Sequence, residues 1–479
     1  MKVLFLAAEV SPYIKVGGLA DVARSLPRAL RALGHDVRVA MPRYRAVNGK
    51  KFELTRVGEP FSVPLGSSSR STEAELGQVD GVPTYLIWDE QYFGREKVYA
   101  YDDDAQRFVF WGRATLELVK SLDWQPDVIH ANDWHAACVP VCVATALQHD
   151  PFFASCATVY TIHNLAYHGT SGNTILLFAG LEGSVKHLDV EAPGTVNWMA
   201  KGIAYSDVIN TVSPRYAQEI LTPEYGCGMH ELLKTRKGRL SGILNGVDYE
   251  LWNPAVDPAL AQPFDVEHLD ARALNKAALQ RAVGLPLRDD VPLLGMVTRL
   301  VDMKGFDLLT SVLDRLMMRD VQFVLLGTGD PQYEELFGAL PRRFPNKAAV
   351  ALRFDETLAQ QIYGGSDMFL MPSRFEPCGL GQIIAMHYGS LPVVRATGGL
   401  ANTVVDYHTA KSKGTGFVFA DYTADALWNA VQRALEAYAN KEAWHSLQVR
   451  AMKTDFSWTA SARKYAELYE KAITFHLKP

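Results

Sequence analysis

Residues 3–8 read Val-Leu-Phe-Leu-Ala-Ala; after Pro12 come Lys15-Val-Gly-Gly-Leu-Ala-Asp-Val22, a helical pattern through Leu30, and Asp36-Val-Arg-Val-Ala40. Strand, glycine loop, helix, strand is the opening unit of a doubly wound parallel sheet. An unbroken apolar run suits a strand covered on both faces, and the glycine turn lets the chain reverse into a helix laid over it. Further buried-strand runs are predicted at 84–88, 128–130, 158–162, 208–212 and 240–244. A second series begins at 293–298 and continues at 322–327, 368–372 and 391–395, alternating with helical stretches such as 306–317. The expected fold class is α/β, two doubly wound Rossmann-like domains facing a deep cleft.

A chain of 479 residues and 53.1 kDa exceeds what one hydrophobic core usually covers, which also favours two domains. The turn-rich stretch Asn245 to Pro254 marks the crossing. The expected division is 1–249, 250–455 and a C-terminal helix, 456–479, whose Trp458, Ala462, Tyr465, Leu468 and Tyr469 share one face and return it to the first domain. A net charge of −5 argues against nucleic-acid or membrane binding, which needs extended basic surface. Protein partners are unknown at this stage. The five cysteines form no CxxC pair, so reduced thiols and a cytoplasmic location are expected. Glu9 ends the first apolar run too early for a signal peptide, and no later run is long enough to span a bilayer.

Arg299 and Lys304 follow a predicted strand and precede a helix, so both cations can hold a diphosphate beside a helix N-terminus without metal. Lys15 precedes Gly17-Gly18 in the first loop and would meet the same diphosphate from the other domain. The later stretch Thr397-Gly-Gly-Leu-Ala-Asn-Thr-Val404 echoes that loop, and its glycines are expected to leave amides bare for phosphate. In Ser373-Arg-Phe-Glu-Pro-Cys-Gly-Leu-Gly-Gln382, Glu376 is placed to hydrogen-bond sugar hydroxyls and stabilise positive charge at an anomeric carbon. Gly379 and Gly381 show no evident packing reason in sequence, which favours a ligand role for this turn.

Two patterns suggest metal. His130-Ala-Asn-Asp-Trp-His135 gathers three candidate ligands but has no partners at usual spacings, so Asp133 and Trp134 fit better as a polar contact and an apolar wall for a sugar. Asp102-Asp-Asp104 contains the D-x-D pattern of metal-dependent glycosyltransferases, yet it directly precedes a helical stretch where aspartate caps. No metal and no cofactor are expected.

Taken together, Lys15–Val22, Asp133-Trp-His135, His163-Asn164, Asn245-Gly-Val-Asp248, Arg299 with Lys304, and Ser373–Gly379 resemble the bacterial glycogen synthases and related starch synthases. These are retaining glycosyltransferases of the GT-B fold that use ADP-glucose, and the likeness runs from Lys2 to about Tyr469. The resemblance implies that Arg299 and Lys304 bind the diphosphate and that Lys15, Gly17 and Gly18 complete its site. Glu376 and His163 would contact the donor glucose. It assigns Cys378, Gly379, Leu380, Gly381, Thr397, Gly398 and Gly399 to the donor side, with Asn245 beside them and Phe354 stacking on the adenine. Asp21, Asp133, Trp134, Asn164 and Asn245 would line the sugar and acceptor cleft, and Tyr99 would be an aromatic platform for the glucan. Phe354 stands where the family has tyrosine, Gly381 where threonine is common, and Asn132 and Asn402 where histidine and aspartate are typical. The implied reaction moves glucose from ADP-glucose to the nonreducing end of an α-1,4-glucan, releasing ADP; a UDP-sugar transferase of the same fold and a noncatalytic glucan-binding relative are the alternatives.

Overall fold

A computed structural model describes residues 1–477. The chain divides into two compact units, Met1–Gly246 with the chain from Trp458 onward, and Val247–Ser457. The first is built on a nine-stranded sheet of order β11-β10-β7-β6-β1-β2-β5-β4-β3. Its strands are β1 (Lys2–Leu6), β2 (Asp36–Pro42), β3 (Thr55–Leu65), β4 (Ser68–Val79), β5 (Val82–Trp88), β6 (Val128–Asn132), β7 (Ala157–Ile162), β10 (Val208–Thr211) and β11 (Leu240–Gly242); β8 (Thr170–Gly172) and β9 (Thr195–Asn197) form a separate pair. β1 lies between two parallel neighbours, Val3 opposite Val37 on one side and Val128 on the other, and Val3 to Leu6 are fully buried.

The second unit is a six-stranded, all-parallel sheet of order β14-β13-β12-β15-β16-β17. It comprises β12 (Leu293–Val297), β13 (Gln322–Leu326), β14 (Ala348–Ala351), β15 (Met368–Met371), β16 (Leu391–Arg395) and β17 (Phe417–Phe419). Alternate residues enter separate cores: Leu294, Met296, Phe323 and Leu325 pack with Phe306 and Leu309, while Leu293, Val324 and Leu326 pack with Ile362 and Ile383. Both faces are therefore dry, which is why these strands read as continuous apolar runs.

Six strands fall outside the sequence expectation, the short β8–β9 pair among them. β3 and β4 form an antiparallel hairpin with a register shift between Val57 and Phe61, and much of β3 is exposed. Such strands carry serine, glutamate and arginine on the wet face and so lack the apolar run that reveals the others. β14 and β17 are four and three residues long. The unit boundaries also shift slightly. The Val247 N–H donates to the Phe456 carbonyl at 2.8 Å and Val247 bridges to Ser457, which ties residues 247–249 and 456–457 to the second unit.

The last helix, Trp458–Leu477, belongs to the first unit. The Tyr465 hydroxyl accepts from Asn210 Nδ2 at 3.0 Å, the Tyr469 hydroxyl bonds His130 Nδ1 at 2.9 Å, and Ser461 Oγ donates to the Leu244 carbonyl at 2.7 Å. Among the described residues no helix is long and apolar enough to cross a membrane.

Candidate active site

In both units the sequence-singled residues cluster just past the carboxyl ends of parallel strands, where open α/β sheets bind ligands. In the second unit, β12 ends at Val297 and leads through exposed Arg299 into the turn Asp302–Lys304 and then the helix Phe306–Met317. Gly305 makes that entry possible, since its φ is +77° and a Cβ there would lie 2.0 Å from the Pro372 carbonyl oxygen. Lys304 Nζ is 2.5 Å from Glu376 Oε2, to which Ser373 Oγ also donates at 3.2 Å. Lysine and glutamate are 16% and 8% exposed, so the pair faces little water and its cation is fixed in place.

The glycines around Glu376 do have packing reasons, which corrects the sequence argument. Gly379 sits at φ +70°, and a Cβ on it would come 2.5 Å from Gln382 Oε1. A Cβ on Gly381 would come 3.2 Å from Phe369, so the threonine common at this position would be crowded here. Gly398 and Gly399 are tighter still, with Cβ positions 1.9 Å from the Glu376 carbonyl oxygen and 1.8 Å from that of Cys378. Nor are all their amides bare. The Gly399 N–H donates to the carbonyls of Glu376 and Pro377, both at 3.1 Å, and the Thr397 N–H to Arg395. The amides of Gly379, Leu380 and Gly381 have no hydrogen-bond partner among the described residues, and they precede or open the helix Gly381–His387. Gln382, absent from the sequence-level set, braces this turn by donating from Nε2 to the carbonyls of Cys378 and Gly379. Cys378 is buried, Asn402 is exposed, and Phe354, on the loop after β14, is 81% exposed, an apolar ring open to a planar partner.

In the first unit, Lys15, Gly17 and Gly18 lie on an exposed loop after β1, with Lys15 Nζ 2.9 Å from Asp21. The Gly17 N–H is taken by Glu9 Oε2 at 2.9 Å, whereas a Cβ on Gly18 would meet nothing within 4 Å. After β6, Asp133 adopts φ +54°, and its Oδ1 accepts the backbone N–H groups of His163 at 2.8 Å and Asn164 at 3.4 Å. Burial pushes the Asp133 carboxyl up to about 7 against the lowering effect of those two amides, and burial takes the His163 imidazole down to about 3. Asn132 explains how that histidine is held: its Nδ2 donates to the Leu6 carbonyl, so its Oδ1 faces His163 Nε2 at 2.9 Å. Nε2 therefore carries the proton and Nδ1 is left as an acceptor.

Trp134 is not an open wall. His135 stacks on its ring at 4.2 Å, and Gly169 lies so close that a Cβ would be 2.1 Å from the ring. Tyr99 packs on His135 at 4.8 Å, and burial raises its hydroxyl well above the usual range. Asn164 Oδ1 accepts from the Ala166 N–H, and the buried Asn245 presents an Oδ1 with no partner among the described residues.

The two metal-like patterns are otherwise engaged. His130 uses Nδ1 on Tyr469 and Nε2 on Thr161 Oγ1. Asp103 pairs with both terminal nitrogens of Arg95 at 2.6 Å and makes no side-chain cap, while Asp104 binds Arg107 and the Ala100 N–H. Among the described residues no group of three or more histidine, cysteine, aspartate or glutamate side chains is gathered to hold a metal.

Residues 2–235 match the starch synthase catalytic domain family, and residues 282–447 match glycosyl transferases group 1. A glycogen synthase of Moorella thermoacetica is 48% identical over 478 residues, 99% of this chain and 97% of that one. One of Thermotoga maritima is 46% identical over 481 residues, 99% of each. The chain belongs to the glycogen synthase family. The same relationship is visible in three dimensions: the catalytic domain of starch synthase IV from Arabidopsis thaliana, bound to ADP and acarbose, superposes with a TM-score of 0.88 at 34% identity, over 98% of this chain and 99% of that one. The fold is accordingly GT-B, with two Rossmann-like units. A sucrose-phosphate synthase of Thermosynechococcus elongatus, with a TM-score of 0.61 at 18% identity, shares the fold alone.

Proposed function

We propose that this glycogen synthase family member transfers glucose from ADP-glucose to the nonreducing 4-hydroxyl of an α-1,4-glucan, retaining configuration and releasing ADP. Near-full-length identity to glycogen synthases supports the activity, and the ADP and acarbose held by the Arabidopsis starch synthase support the nucleotide and glucan classes. The observation that carries the chemistry is the Lys304–Glu376 pair, 2.5 Å apart, with Arg299 on the same connection that leaves β12. A lysine so fixed is a preorganised charge for a departing diphosphate, and it needs no reorganisation when the bond breaks.

Arg299, Lys304 and the amides of Gly379, Leu380 and Gly381 take the diphosphate in this reading, Lys15 and the Gly18 amide add to them, and Phe354 covers the adenine. Glu376 faces the positive charge that grows at the anomeric carbon, and neutral His163 accepts a sugar hydroxyl through Nδ1. Asp21, Asp133, Asn164 and Asn245 bind the sugar and acceptor. The leaving diphosphate oxygen takes the proton of the incoming hydroxyl on the same face, which preserves configuration. No metal enters this scheme, and the five free thiols are in keeping with a cytoplasmic enzyme.

Nucleotide release with glycogen present tests the proposal. ADP should form from ADP-glucose at a rate set by glycogen, with much slower UDP release from UDP-glucose. Preferential UDP release would replace the donor assignment, and no release from either donor would leave a glucan-binding protein without transferase activity.

A further inference from the structure

Glu9 leaves the end of β1 beside the proposed site but holds none of its assigned roles. It is 4% exposed, and Oε2 alone accepts the Val16 N–H at 2.5 Å and the Gly17 N–H at 2.9 Å. Tyr99 is an electrostatic neighbour of the same carboxylate: burial first, and then nearby charges that include Glu9, raise its hydroxyl. Tyr99 packs on His135, which stacks on Trp134. Glu9 thus anchors the loop carrying Lys15 through two amides, near the aromatic group that runs from Tyr99 to Trp134.

Between the Val10–Ile14 bridge and the helix start, the loop's other tie among the described residues is the exposed Lys15–Asp21 ion pair. Val16 is 61% exposed, and a Cβ on Gly18 would touch nothing. Among the described residues no cation lies within salt-bridge reach of Glu9, and the negative charge of Asp21 acts on it. A buried carboxylate without a cation is a costly brace, and an apolar side chain would leave the two loop amides without an acceptor. We infer that Glu9 is a positioning residue for glucosyl transfer, fixing the Lys15–Gly18 loop through its two amides next to the Tyr99–His135–Trp134 group. This rests on the transferase reading of the site. It also accounts for a glutamate ending an otherwise apolar run, with the glycine turn eight residues on.

The test uses full-length wild type, Glu9→Ala, Glu9→Gln, Tyr99→Phe and the corresponding double variants, with ADP release from ADP-glucose and glycogen as the readout. Misplacement of a binding group by about 1 Å costs on the order of a hundredfold, and a loss of that size in kcat/KM is expected for Glu9→Ala, with a raised KM for ADP-glucose. Glu9→Gln keeps an acceptor for both amides and should recover most of the loss, and Tyr99→Phe should add little once Glu9 is alanine. A purely structural role would lower kcat through a smaller active fraction and leave KM unchanged; that result, or near-wild-type constants for Glu9→Ala, overturns the inference. If Glu9→Ala does not fold, the cycle between Glu9→Gln and Tyr99→Phe decides: non-additive losses support the inference and additive ones overturn it. An inactive wild type instead removes the transferase reading, and this inference falls with it.

Discussion

Gly17-Gly18-Leu19-Ala20-Asp21 in the first unit and Gly398-Gly399-Leu400-Ala401-Asn402 in the second are nearly the same five residues, and each opens a helix. Their glycines answer different needs. In the first loop the chain is exposed, Gly18 has ordinary backbone angles of −68° and −17°, and nothing crowds its missing side chain. In the second, both glycines are buried, Gly398 has a φ of +45°, and backbone carbonyls of the Glu376–Cys378 turn lie within 2 Å of where a Cβ would stand. The first pair keeps a surface clear. The second lets two segments touch, and so sets where Glu376 sits. Sequence likeness between two glycine motifs is therefore no guide to whether they serve a ligand or the fold.

Removing the group that the second turn positions should have the largest effect. Lys304→Ala takes away one preorganised charge, for which about 3 kcal/mol and a hundredfold or greater fall in kcat are expected. Among the described residues the buried Glu376 carboxylate then keeps only Ser373 as a partner, so a lower Tm should accompany it. A variant with wild-type kcat and only a raised KM for ADP-glucose would assign Lys304 to uniform binding.

The glycines give the direct contrast. Gly399→Ala must push a methyl against the Cys378 carbonyl, 1.8 Å from its position, and should lose roughly 3 kcal/mol of stability. Gly18→Ala should stay within about 1 kcal/mol of wild type in chemical denaturation, because reduced unfolded-state entropy offsets a poorer helix cap. Its kcat/KM for ADP-glucose should nonetheless fall, by about tenfold if one amide contact of roughly 1.4 kcal/mol is blocked. A stable Gly399→Ala, or a Gly18→Ala variant with unchanged kinetics, would erase the distinction between the motifs.

The paired strand-end residues Asp133 and His163 allow a finer test inside the first unit. Asp133 has its carboxyl raised to about 7 from a usual 3.8, so the folded state holds a proton that the unfolded chain has released. Its stabilising contribution is complete below about pH 4 and is lost as pH rises through 7. His163, lowered to about 3 from 6.5, acts oppositely: the unfolded chain gains the proton first, and stability falls as pH drops below 6.5. Asp133→Asn keeps an acceptor and tolerates the left-handed backbone, so it should raise Tm over wild type at pH 8 and bring no gain at pH 4. An equal shift at both would mean the carboxyl does not titrate with folding.

How much of this was legible beforehand depended on what each feature looks like in one dimension. Strands buried on both faces announce themselves as apolar runs, so the two parallel sheets and the position of Arg299, Lys304, His163 and Glu376 at their ends followed from the sequence. The β3–β4 hairpin did not, because its wet face interrupts the pattern. Glu9 was visible only as the residue ending an apolar run, since its role depends on two amides that folding brings to one carboxylate oxygen. The buried contacts of Gly398 and Gly399 were equally hidden. Glycine shows that a side chain is missing, and only the fold shows what fills its place.

The smallest expected effect is that of chelation, and it bears on how each half of the contrast handles charge. In the proposed scheme the diphosphate is met by Arg299, Lys304 and turn amides of the second unit and by Lys15 of the first, so EDTA should leave the rate nearly unchanged. A metal would instead need the D-x-D carboxylates. Asp103 is held by both terminal nitrogens of Arg95 at 2.6 Å, and that guanidinium keeps its carboxyl below the usual range. Asp104 is bound to the buried Arg107 and to a backbone amide, leaving Asp102 as the exposed member. One exposed carboxylate is a weak site for a divalent ion that prefers several oxygen ligands. Activity measured after dialysis against EDTA, then with added manganese or magnesium, should vary by less than about twofold, far below the ~1.4 kcal/mol that a tenfold change represents. Full loss with chelator and recovery with manganese would move the charge-neutralising role from the lysine and arginine side chains to a metal, and the contrast between an open first loop and a charge-bearing second turn would no longer describe how the diphosphate is held.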